Sequence, residues 1–129
     1  MKIKTSELGG AALDWAVAKC EGWEPGKYMM SSVIRKDAHG NVIGIMVPNN
    51  MEYAWFSPST NWAQGGPIID QMIEDGYIIQ KGDFNTGVKV MRFKQGHLEY
   101  QFGPTPLISA MRCYAASKLG DEVEVPDEL

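Results

Sequence analysis

The residues best suited to hold a ligand are concentrated in one run, Phe56-Ser57-Pro58-Ser59-Thr60-Asn61-Trp62-Ala63-Gln64-Gly65-Gly66-Pro67-Ile68-Ile69-Asp70. Ser59, Thr60 and Asn61 are turn and cap formers whose side chains bond their own backbone or a group brought to them. Gly65 and Gly66 let the main chain approach another group closely. Gln64 adds an amide and Trp62 a flat indole. Pro67 suits the first turn of a helix whose apolar face begins at Ile68 and Ile69. The run reads either as a loop that caps a helix, with Trp62 folded into the core, or as a ligand-binding loop. Gly103-Pro104-Thr105-Pro106 repeats the pattern ahead of Leu107. Two such helix starts, if they converge, would present free N–H groups and positive dipole ends to an anion. Tyr53 or Trp55, on the strand leading into the run, could wall one side, and Arg112 could add a cation.

Signals for catalysis are missing. There is no G-x-S-x-G, no Walker loop and no zinc motif, and His39 and His97 stand alone. No catalytic residue, metal ligand or cofactor is therefore expected. Cys20 and Cys113 fall in helical patterns and read as free buried thiols rather than a disulfide.

The net charge is −4 over 129 residues, with no lysine- or arginine-rich block. This argues against general nucleic-acid binding, which rests on neutralising phosphates. Arg35, Lys36, Arg92, Lys94, Arg112 and Lys118 remain available for a local basic pocket. No window approaches the roughly 20 apolar residues that span a bilayer, so no membrane is expected.

The surrounding pattern predicts one α+β domain over 1–129, an antiparallel sheet of hairpin-connected strands packed with about three helices. Thr5 or Ser6 should cap a first helix running through Leu8, Ala12 and Trp15 to Gly22, its first turn weakened by Gly9 and Gly10. A turn at Trp23-Glu24-Pro25-Gly26 leads to strands over 28–35, 42–47 and 51–56, with Pro48-Asn49-Asn50 as a break. The second helix should span about 67–75 and stop at Gly76. Strands follow over 77–80, 88–93 and 97–102, with turns at Lys81-Gly82-Asp83 and Gln95-Gly96. Leu98, Tyr100 and Phe102 share one face of the last strand, leaving His97 and Glu99 on a wet one. The third helix should span 106–119, with Gly120 as its stop. From about 121 the tail is acidic, either a short strand at Val123 and Val125 or disordered.

Three blocks together carry a family resemblance. They are Met1-Lys2-Ile3-Lys4-Thr5-Ser6-Glu7-Leu8 with Ala12-Leu13-Asp14-Trp15-Ala16-Val17-Ala18, then Ser57 to Ile69, and finally Gly103 to Leu129. In combination they resemble the NinX-like family of tailed-phage accessory proteins, over a little under half of the chain. The resemblance implies a small non-structural phage protein made in the cytoplasm of the infected bacterium. It implies no chemistry.

Taken together, these features point to a non-enzymatic protein binding a small anionic, nucleotide-like ligand. Ser59, Thr60, Asn61, Trp62, Gln64, Gly65, Gly66, Gly103, Thr105, Tyr53, Trp55 and Arg112 are the candidate contacts. With the resemblance, this becomes an anti-defence sponge that sequesters a host immune signal such as a cyclic dinucleotide or an ADP-ribose derivative. The alternative is an inhibitor or adaptor acting on a host protein; a small enzyme ranks below both. An available strand edge favours a homodimer or higher homo-oligomer.

Overall fold

The computed structural model describes residues 1–23, 34–49, 52–82 and 87–129, with 48, 49, 52 and 53 as backbone only. In chain order the elements are β1 (Lys2–Lys4), a 3-10 turn (Thr5–Glu7), α1 (Gly10–Cys20), β2 (Ile34–Lys36), β3 (Val42–Asn49), β4 (Glu52–Phe56), α2 (Trp62–Glu74), β5 (Ile78–Lys81), β6 (Val88–Lys94), β7 (His97–Gly103), α3 (Pro106–Leu119) and β8 (Glu122–Glu124). The α+β class holds. The described strands divide into three antiparallel sheets, β1-β8, β2-β3-β4 and β5-β6-β7.

The third helix forms where its signals place it, and the molecule is assembled around it. Thr105 Oγ1 accepts from the Ile108 N–H at 3.2 Å. Pro106 fills the first turn, and Gly120 closes the end at φ 92°. Leu107, Ala110, Met111, Cys113 and Ala115 are buried. One side of α3 takes α1, another the β6-β7 pair, and the first turn of α2 packs on its start. Ser109, buried within this contact, donates its hydroxyl to the Val88 carbonyl at 2.6 Å and so ties the helix to β6.

Several boundaries differ from the sequence expectation. The first helix begins at Gly10, not at Thr5 or Ser6. Thr5 instead donates both its N–H (2.9 Å) and its hydroxyl (3.2 Å) to the Asp121 carbonyl, because the acidic tail returns as β8 to pair with β1. That pairing sets Lys2 opposite Glu124 and Lys4 opposite Glu122 over a buried Val123, opposite charges suiting cross-strand positions. Pro48-Asn49 does not end β3, which runs to Asn49 with Pro48 paired opposite Tyr53. The expected turn at 24–26, most of the strand over 28–35, and Asn50, Met51 and Asp83 lie outside the described residues.

The β5-β6-β7 sheet is turned the opposite way from the alternation reading. Register places Ile79, Val90 and Gln101 on the helix-facing side, with Val90 fully buried. Leu98 and Tyr100 are exposed on the other side, which they share with Phe102. Glu99 faces inward because it pairs with Arg92 (Nη2 to Oε2, 3.1 Å).

Candidate functional site

The run 57–70 begins its helix five residues early. Asn61, not a glycine, is the cap: its Oδ1 accepts from the Ala63 N–H at 2.9 Å, and its carbonyl takes the N–H groups of Gln64 (3.1 Å) and Gly65 (2.8 Å). Gly65 and Gly66 thus lie within the helix rather than in a loop. Pro67 lies in its second turn, where its missing N–H leaves the Ala63 carbonyl without an intrahelical donor.

The two helix starts do meet. A Cβ placed on Gly65 would press on the Pro58 carbonyl and fall 2.5 Å from Leu107 Cδ2, in the first turn of α3. This junction is filled, not open. Gly103 is equally close-packed, a Cβ there falling 2.8 Å from the Ser109 nitrogen. Thr105 spends its hydroxyl on its own helix.

The other candidates are also engaged locally. Gln64 accepts the Ser57 N–H at 2.6 Å and donates to the Trp55 carbonyl at 2.5 Å, clasping the turn between β4 and α2. Ser59 is buried, its N–H donated to Asp14 Oδ1 at 2.9 Å. Arg112 donates Nε to the Leu8 carbonyl (2.7 Å) and Nη1 to the Phe102 carbonyl (3.0 Å), bracing α3 against the 3-10 turn and β7. Partial burial holds its guanidinium below the ordinary arginine value. Replacing Arg112 by alanine is expected to cost about 2 kcal/mol in urea denaturation, since its two bonds from a charged donor, roughly 1.5–3 kcal/mol each when buried, are weakened by partial exposure. Thr60, Asn61 and Trp62 form an exposed group, Trp62 being 58 % exposed rather than a core plug. Tyr53 is placed on β4 by its backbone, opposite Pro48.

Open space lies along the flank of α2 instead. A cleft of about 340 Å³ is lined by Tyr77, Arg92, Lys94, Tyr114, Ser117 and Lys118, with Met72 at its floor and Glu21 and Asp75 at its rim. Across Pro67, Ile68 and Glu21 it adjoins a shallower groove of about 450 Å³ that holds Trp23, Trp55, Phe56 and Gln64. Of the expected contacts, Trp55 and Gln64 line this groove. Of the basic residues available for a pocket, Arg92, Lys94 and Lys118 line the cleft.

The geometry of the cleft is ordered by Arg92. Its guanidinium carbon lies 4.3 Å from the centre of the Tyr77 ring, a cation–π stack. One nitrogen bonds Glu99, while Nε is buried without a hydrogen-bond partner. The Tyr77 and Ser117 hydroxyls are hydrogen-bonded to each other. Burial raises both phenols, Tyr114 to about 12, so each remains neutral at neutral pH. The cleft therefore offers two neutral aromatic walls and three cations, set against two rim carboxylates.

Sequence spacing carried little of this, since Tyr77, Arg92 and Tyr114 come from a turn, a strand and a helix. The available signal was Arg92 itself, a cation amid the apolar β6 residues Val90, Met91 and Phe93. Burial pushes the thiols of Cys20 and Cys113 up to about 12, which makes neither a ready nucleophile. Among the described residues no group of three His, Cys, Asp or Glu could hold a metal ion. No helix of the described residues is long and apolar enough to cross a membrane.

The family model described as Bacteriophage P22, NinX matches residues 4–118. No curated protein matches the chain significantly.

Proposed function

Because the chain belongs to the phage P22 NinX family, we propose that it is a phage accessory protein of the infected cell's cytoplasm that captures a small anionic, nucleotide-like ligand in the cleft beside α2. The observation that carries this reading is Arg92, stacked on Tyr77 with a buried, unbonded Nε, next to Lys94 and Lys118. A phosphate entering there would meet charge-assisted donors, and a base could stack in the adjoining groove against Phe56. Capture needs affinity and no general acid or base. The sponge reading, in which the captured molecule is a host immune signal such as a cyclic dinucleotide or an ADP-ribose derivative, is the biological form of this proposal.

The test uses ADP-ribose and a cyclic dinucleotide as probes, in thermal-shift and calorimetric titrations. At least one should raise the melting temperature and be recovered intact after heat denaturation. Lys118→Ala, on an exposed side chain, should weaken binding by about tenfold, equivalent to about 1.4 kcal/mol. Tyr114→Phe should leave it nearly unchanged, because that phenol acts as a wall. A lack of any shift with either probe, or binding indifferent to Lys118, would refute capture in this cleft.

A further inference from the structure

Among the described residues, no element packs on the outer face of the β5-β6-β7 sheet. Its register assigns eight outward positions: Ile78 and Gln80 on β5, Lys89, Met91 and Phe93 on β6, and Leu98, Tyr100 and Phe102 on β7. Six of them are apolar, and Ile78, Phe93, Leu98 and Tyr100 are 41–72 % exposed. At roughly 200 Å² for a large side chain, those four alone leave on the order of 400 Å² bare, within the range of the largest patch a typical monomer shows. With Met91, Phe102 and the aliphatic stem of Lys89, each partly exposed, the face comes to about 600 Å², the lower bound per partner of a specific interface.

We infer that this face is covered by a second copy of the same chain, sheet against sheet, about a two-fold axis near Met91 and Tyr100. The opposite face is already packed on α3, so each chain supplies half of a β-sandwich with a helix behind it. Two like sheets stacked about 10 Å apart would complete the layers. Charge on the face permits the pairing. The chain is acidic overall, yet none of the eight outward residues is a carboxylate, so two copies meet without acid–acid repulsion. The one cation is held in place: Lys89 Nζ lies 5.2 Å from the Tyr100 ring centre and 5.8 Å from that of Phe102. A two-fold closure uses the same patch on both partners and leaves none over for further growth.

Light scattering coupled to size exclusion should give twice the 14.3 kDa chain mass at micromolar concentration. Phe93→Glu with Leu98→Lys should return the single-chain mass with an unchanged far-UV circular dichroism spectrum, because both side chains are exposed within the single chain. Ile43→Glu, on the separate β2-β3-β4 sheet, should leave the doubled mass. As a second readout, at the rim of the face and away from the axis, a spin label at Gln80→Cys in a chain whose free Cys20 is replaced by serine should report an inter-chain distance below about 30 Å, since sheets stack about 10 Å apart. A single-chain mass for the natural sequence at every concentration would overturn the proposal. So would a doubled mass that survives the paired substitution, or a label separation well beyond the sandwich spacing.

Discussion

Replacing Gly65 by alanine should destabilise the protein by about 3 kcal/mol, near the upper end of what overpacking costs. Urea denaturation would read this directly. The added methyl meets the Pro58 carbonyl on one side and Leu107 Cδ2 on the other. Neither can yield easily, because Pro58 is backbone and Leu107 is a buried residue in the first turn of α3. In a double-mutant cycle, Gly65→Ala should cost less in a Leu107→Ala background than in the natural one, because only the Pro58 contact then remains. The prediction separates two roles for the glycine. A residue cradling a ligand would lose affinity on substitution and keep its stability. A residue where two helices cross closely would do the reverse, and the geometry assigns Gly65 to the second kind.

The second large effect concerns Asp14, which sequence reading passed over. It lies within α1, buried, and accepts the Ser59 N–H. Burial raises its carboxyl to about 6, against the opposing pull of the Ser59 N–H. The folded state therefore holds a proton that the unfolded chain releases near pH 3.8. Between about pH 4 and 6 the unfolded state binds fewer protons, so this group's contribution to stability falls as pH rises and levels off above 6. A shift of about two units corresponds to roughly 3 kcal/mol. Asp14→Asn retains an acceptor for Ser59 and removes the buried charge. The variant should match the natural protein near pH 4 and exceed it by up to about 3 kcal/mol at pH 7.5, measured by denaturation at both values. Equal stability at both would show that solvent relieves the buried carboxylate.

Both effects fall on residues whose roles the sequence displays poorly, and for different reasons. Capping chemistry is local, so Thr105-Pro106 and Gly120 mark α3 well, as Gly76 marks the end of α2. Gly65-Gly66-Pro67 carries the composition of a helix breaker, yet Asn61 nucleates the helix ahead of it. What demands a glycine there is the Pro58 carbonyl, seven residues back, together with Leu107, forty-two residues on and invisible to any local rule. Alternation correctly groups Leu98 with Tyr100 and Phe102. Period alone does not say which face of a strand meets the helix, and here an inward Arg92–Glu99 pair beside the buried Val90 decided it. Asp14 was hidden by sitting in an alanine-rich stretch, where a lone acid normally faces water. The cleft was the least legible of all, because its walls come from parts of the chain brought together only by folding.

The position of α3 also bears on how the chain is made. Its partners, α1 and the β6-β7 pair, all precede it in order of synthesis. Until residue 119 has left the ribosome, the β6-β7 pair lacks the helix that covers its inner face, and α1 has only β3 to pack on. Nascent chains should therefore stay open to proteases through most of translation and then close in one concerted step. A messenger cut short before that helix would yield no partial domain, only material for the host's quality-control machinery.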